Sequence, residues 1–417
     1  MTGTSLPAAR ARTRLVGGAV FLALVAAFLV VAILQGSVAE PSPGPSPGPG
    51  APVLHPEPWA LAATPDGAFV YAACGPRHVV AEIDVERQAL ARFLPVRAAP
   101  RGLAVSPEGT RLAVTLLGED RVLVLDRESG RVLLDLPAGP DPQGVVFSRD
   151  GKTLYVAERT RRTVARIDLA ARKVTGRIEA GEEPFALVLS PDGLTLVAVS
   201  RRATIAPPDS VPTSEVTVID RVSWTVRHRV ALDSLDLADS AAFTPDGSRV
   251  LVPAIHVRNL LPIVQVGRGW VMSSVLAVVD VSAGTQAALP LTGPTRGFAD
   301  PSGIALLEGG TRAFVASGGG NEVGVIDVPA LLAHEDRARP GAVERLSLSP
   351  LYLRRRVPLG ANPRGVVAVR GGRGVAVAVS ERLDDQVALL DREGGLVARV
   401  AVGGPLPEGR LHRGQRA

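Results

Sequence analysis

Residues 101–140 read RGLAVSPEGTRLAVTLLGEDRVLVLDRESGRVLLDLPAGP. Arg101–Ser106 is a strand-like run closed by the turn Pro107-Glu108-Gly109, and Arg111–Leu116 is a second, broken by Gly118-Glu119-Asp120. Val122–Leu125 is a third, ending in Asp126-Arg127-Glu128-Ser129-Gly130, and Val132–Leu136 a fourth, ending at Ala138-Gly139-Pro140. Val and Leu suit half-buried pleated surface. Gly reaches positive φ, and Asp hydrogen-bonds nearby amides in turns. Four short strands in about 40 residues is the unit of a propeller blade, and Val-rich runs of five or six residues do not carry helical periodicity.

The same unit recurs on both sides. The turns Pro65-Asp66-Gly67, Pro107-Glu108-Gly109, Arg149-Asp150-Gly151 and Pro191-Asp192-Gly193 follow one another at a fixed interval, as do Asp84, Asp126 and Asp168 at the ends of third strands. Stretched copies follow at Pro245-Asp246-Gly247, Glu308-Gly309-Gly310 and Arg370-Gly371-Gly372, with Asp220, Asp280, Asp327 and Asp391 as their endings. Seven units between about Pro56 and Gly404 predict an all-β fold, a seven-bladed β-propeller of four-stranded antiparallel blades over residues 56–404. Closing the ring removes open sheet edges. Only Val53-Leu54-His55 precedes the first unit, thin material for a strand swapped into the last blade, so closure is expected from packing of blade one on blade seven.

Before the ring, residues 1–14 are a basic segment with Arg10, Arg12 and Arg14, and residues 15–35 are uncharged. That length matches a bilayer-spanning helix, and the basic flank predicts an extracytoplasmic ring. The lipid bilayer is therefore one expected partner; a cleaved signal peptide, with processing at Ser37-Val38-Ala39, is the competing reading. Residues 36–55 are a Pro/Gly/Ser linker and residues 405–417 a flexible basic tail. The formal charge is +5, but three of those charges are the N-terminal arginines, so no nucleic-acid partner is expected. Arg354-Arg355-Arg356 reads as solvated surface. The single cysteine, Cys74, ends a strand and reads as a buried structural thiol.

The units resemble the YVTN class of β-propeller repeat. Unit three carries this best, as Asp141-Pro142-Gln143-Gly144-Val145-Val146-Phe147 followed by Asp150-Gly151-Lys152-Thr153-Leu154-Tyr155-Val156-Ala157. The chain is also similar to exported propellers joined to a C-terminal di-haem domain resembling bacterial cytochrome c peroxidase. That likeness rests on His256-Val257-Arg258-Asn259-Leu260, Arg268-Gly269-Trp270-Val271-Met272, Asn362-Pro363-Arg364-Gly365 and Arg382-Leu383-Asp384-Asp385. Such a domain needs Cys-x-x-Cys-His attachment sites, which one cysteine does not supply. The resemblance thus implies a propeller acting on a separate redox partner, or one that has lost it.

The residues that break the repeat mark the candidate site. Unit four gains Arg201–Ser214 and unit five Ala254–Ser274 between second and third strands, and Leu291–Pro301 lies between units five and six. These connections share one face of a propeller, and loops on a rigid frame are where binding concentrates. Pro329–Pro350, between strands three and four of unit six, starts from the opposite face and is expected to pad the rim. Arg268 and Trp270 are the leading candidates for partner contact, with His256, Arg258 and Asn259 beside them; the alternative is a loop folded back over Leu260, Leu261 and Ile263. The histidines, His55, His78, His228, His256, His334 and His412, lack metal-ligand spacing, and no catalytic motif or cofactor site is evident. The repeated aspartates read as turn caps. The expected function is a non-catalytic module that binds another envelope or periplasmic protein. The alternative is an exported enzyme acting on a small anion such as a lactone.

Overall fold

The computed structural model describes residues 55–204, 211–258, 272–335, 342–371 and 374–403. The expected membrane anchor, most of the linker and the basic tail lie outside them. Among the described residues no helix is long and apolar enough to cross a membrane.

Seven antiparallel sheets, each built from consecutive strands, form the seven blades. Blade one runs Pro58–Ala63, Phe69–Cys74, Val79–Asp84, Ala89–Pro95, and the others repeat the order. Blade five departs from it, because its inner strand is broken into Leu235–Asp236 and Ala242–Phe243, both paired with Arg249–Val257. Burial follows position in the blade. Second and third strands are buried along almost their whole length, as in Phe69–Cys74 and Val79–Asp84. Fourth strands alternate exposed and covered residues, as in Lys173–Glu179 and Thr225–Asp233, since they are outer edges with one face in water.

The apolar core is divided into seven clusters, one at each seam between neighbouring blades. Blades one and two share Tyr71, Val80, Leu112 and Leu116. Blades seven and one share Val70, Ile83, Ala378, Leu389 and Val402 in the same manner. The ring therefore closes by packing of blade seven on blade one, as expected, with no swapped strand among the described residues, and each buried Val or Leu in that seam contributes about 1.5–3 kcal/mol. Polar contacts complete it: Arg382 donates to Glu57 (2.5 Å), and His55 lies 2.6 Å from Asp385.

The face carrying the first-to-second and third-to-fourth turns is regular in its turns. All seven first turns place a glycine at positive φ: Gly67, Gly109, Gly151, Gly193, Gly247, Gly310 and Gly371. All seven aspartates that end third strands accept a backbone N–H from the following turn, from Arg87 to Asp84 (2.8 Å) through Ala330 to Asp327 (2.9 Å) and Glu393 to Asp391 (2.8 Å). They are turn caps, as expected. Cys74 is fully buried, and burial pushes its thiol up to about 12.

Candidate functional site at the channel mouth

The other face, where inner strands begin, holds the insertions and the mouth of the central channel. Six of the seven inner strands have a proline as their first or, in blade two, second residue, followed by a bulge. In blade one Pro58 pairs with Cys74 and Leu61 with Ala72, so Trp59 and Ala60 fall outside the ladder. The same shift recurs after Pro100, Pro142, Pro184, Pro301 and Pro363. A bulge re-aims a side chain. Here it turns the residue after each proline toward the axis, so that Trp59, Arg101, Gln143, Phe185, Ser302 and Arg364 line one cavity of about 200 Å³, with Asp239 of the interrupted blade-five strand.

The next residue is glycine in four blades because neighbouring inner strands nearly touch there. A Cβ on Gly144 would lie 2.6 Å from the carbonyl oxygen of Phe185, and one on Gly102, Gly303 or Gly365 would be closer still to the next blade's backbone. Hydroxyls stitch two of these seams. Thr115 Oγ1 accepts from Gly102 N (2.7 Å) and donates to Gln143 O (2.8 Å). Ser380 Oγ accepts from Gly365 N (2.8 Å) and donates to Trp59 O (3.2 Å), across the closing seam.

Charge converges on this mouth. Arg364 donates to both carboxylate oxygens of Asp300 and to Asn362 Oδ1 (3.1 Å), and lies 3.7 Å from Asp239. Arg201 donates to Asp239 (2.6 Å), and Arg382 to Glu57. The Asp239 side chain is 8% exposed, and burial raises its pKa against the opposing pull of Arg201 and Arg364. Arg101 differs from the other three arginines. Its Nε donates to Gln143 Oε1 (3.0 Å), and its guanidinium sits 3.8 Å over the Trp59 ring and 5.3 Å from the Phe185 ring. Among the described residues no carboxylate lies within ion-pair distance of it, and its two terminal nitrogens carry no hydrogen bond to the chain. Burial lowers it to about 10, with the attraction of Asp239 and Asp141 opposing that and the repulsion of Arg201 and Arg382 adding to it, so it stays charged at neutral pH.

The cause is visible in the sequence. The residue before the proline is Glu57, Asp141, Glu183, Asp300 or Asn362 in blades one, three, four, six and seven, each in the left-handed region at φ of 47 to 54°. In blade two that position is Ala99. Blade two thus presents a cation without the neighbouring polar group that blades one, three, four, six and seven carry.

The expected partner-binding residues are only partly described. Asn259, Arg268 and Trp270 lie outside the described residues. His256 is buried in the long hairpin, paired opposite Ser273, with Nδ1 lacking a partner, and burial followed by Arg258 lowers its pKa. Arg258 lies 3.4 Å from Glu344. The Ala254–Ser274 insertion is also less of a loop than its position suggests, because Arg249–Val257 and Met272–Asp280 continue the ladder through it. The blade-six excursion leaves the turn face, where Glu335 pairs with Arg249 (3.0 Å), packs Leu331, Leu348 and Tyr352 into the rim, and reaches Arg258 through Glu344. Arg356, read from sequence as solvated surface, is 13% exposed and donates to Glu322 (3.0 Å) and Gly297 O (2.6 Å), fastening the loop before blade six. Among the described residues no three His, Cys, Asp or Glu side chains are grouped so as to hold a metal.

Comparison with known proteins bears on the ring as a whole. No protein-family model and no curated protein matches the chain. Solved structures do match. Hydrazine synthase from Kuenenia stuttgartiensis is similar, with a TM-score of 0.76 and 25% identity over 84% of this chain and 100% of that one. In all, 1539 solved chains are similar, so the likeness identifies a widely shared architecture, the seven-bladed propeller, and function has to be argued from the site.

Proposed function

We propose that this chain is a non-catalytic, extracytoplasmic scaffold that binds another envelope protein through the face carrying the channel mouth. The observation that carries this reading is the one-sidedness of the additions to the repeat. The hairpin of blade five, the connection before blade six and the start of the blade-four loop at Arg201 all rise from that face, and the blade-six excursion reaches it along the rim. The turn face carries one addition, in blade six, and the opposite face carries the other three, as suits a frame presenting one surface. The extracytoplasmic location rests on residues 15–35. A redox protein as partner rests on the resemblance to propellers joined to di-haem domains, and the similarity to hydrazine synthase agrees with such a setting.

Capture from intact envelopes tests the reading, using the wild-type chain, an Arg268→Ala/Trp270→Ala double variant and Arg258→Glu. The expected result is a partner recovered by the wild type and reduced about tenfold or more by the double variant, as for interface anchors worth about 2 kcal/mol each. Equal recovery by all three chains would remove this surface from consideration.

A further inference from the structure

One arginine of the channel mouth stands apart from the ion pairs around it. Arg201, Arg364 and Arg382 engage Asp239, Asp300 and Glu57, and Arg159 engages Asp141, which also accepts from Gln143. Arg101 is held in place by an aromatic ring below it and by Gln143 at its Nε, which leaves its terminal N–H groups with no hydrogen-bond partner among the described residues. Arg101 is half-buried, and a guanidinium partly withdrawn from water without a carboxylate gains from an arriving counter-charge. The fork of an arginine matches a planar carboxylate in two parallel hydrogen bonds. The cavity beside it, about 200 Å³, is ample for a carboxylate with a short or single-ring body, a water's share of liquid being roughly 30 Å³. Its remaining walls include Phe185, Leu61 and Val366, and nearby Asp239 and Asp300 disfavour a second negative charge.

We propose that the channel mouth binds a small monocarboxylate, paired with the terminal nitrogens of Arg101 and with its apolar body against Phe185. This is a small-molecule function separate from partner capture. A guanidinium preorganised over an aromatic face gives up little side-chain entropy on binding. Asp239 and Asp300 nearby disfavour a dianion, and the apolar walls favour a monoanion with a hydrocarbon or aromatic body over an inorganic ion.

The test is titration of the full-length chain with sodium benzoate, sodium acetate, sodium sulfate and inorganic phosphate at constant ionic strength, followed by tryptophan fluorescence and melting temperature. Benzoate is expected to saturate at millimolar concentration or below and to raise the melting temperature, since a ligand of the folded state stabilises it. Arg101→Gln is expected to weaken benzoate about tenfold or more. Arg101→Lys, which keeps the charge and loses the fork, supplies the comparison should the glutamine variant not fold, and is also expected to weaken binding. Absence of saturation by benzoate and acetate up to about 10 mM overturns the proposal, as does unchanged benzoate binding in both variants. Sulfate or phosphate binding as tightly as benzoate overturns the monocarboxylate class. Benzoate binding without partner capture would leave this inference standing and sink the scaffold reading; capture without benzoate binding would do the reverse.

Discussion

Arg101 shows how much of the site the repeat makes readable and where that stops. Trp59, Arg101, Gln143 and Phe185 occupy the same position in blades one to four, directly after a proline, so their equivalence is legible in the sequence. Their convergence is not, because it depends on a bulge that turns each of them out of its strand toward the axis. The missing acid at Ala99 was equally readable, yet it acquires meaning only when Arg101 is found without a carboxylate. Stretched units such as the one around Trp270 stand out in the sequence, and a substitution inside a regular unit does not. The glycine present at four of the six bulges is a sharper residue-scale test. Gly144→Ala should lower stability by about 1–3 kcal/mol, because the added methyl meets the carbonyl of Phe185 and inner strands have no room to part. Gly75→Ala, whose nearest neighbour would be an ordinary 3.7 Å away, should change the melting temperature far less. Equal effects would show that the close approach of the inner strands is not what fixes the glycine.

At the scale of the turn, the chain relies on ionised aspartates. Several have pKa values held below the ordinary 3.8. In Asp66, Asp150, Asp192 and Asp246 the first cause is a neighbouring hydroxyl, from Thr64, Ser148, Ser190 and Thr244 respectively. In Asp220, Asp280 and Asp327 it is a turn amide, and Asp220 is brought down to about 2. A carboxyl with a lowered folded-state pKa stabilises the protein above its unfolded value and loses that contribution as pH falls through the folded one. The melting temperature should therefore drop steeply between about pH 4 and pH 2, and Asp220→Asn should flatten the lower part of that drop. Asp239 has the opposite sign, since burial favours its protonated form and its ionisation at neutral pH costs stability. A melting temperature that stays level through this window would show the turn caps to be energetically idle. These caps were legible because they repeat. The element boundaries in blade five were less so: Ala254–Val257 continues a strand that sequence reading ended earlier, and nothing local distinguishes a lengthened hairpin from a loop of the same composition.

For the whole ring, the seam between blades seven and one is built like the others. It has its own apolar cluster and a hydroxyl stitch, Ser380, equivalent to Thr115 between blades two and three. Ser380→Ala and Thr115→Val should each cost about 1–3 kcal/mol, the penalty for leaving backbone groups without partners in a buried setting. The two ends of the ring are also neighbours, since a Cβ on Gly403 would lie 3.9 Å from Pro56. A circular permutant that links Gly403 to His55 and opens the chain between Ala138 and Pro140 should fold and melt in one transition near the parent. Melting in two transitions would mean that the native seam is weaker than the rest. That adjacency has a mechanical side. Tension applied through the chain on either side of the ring enters at one point on its circumference, where the outermost strand of blade seven, Leu396–Ala401, is held by a single neighbour, Gln386–Leu390. Under such a load that strand unzips one hydrogen-bonded pair at a time, so the ring is soft to pulling at its clasp and stiff elsewhere.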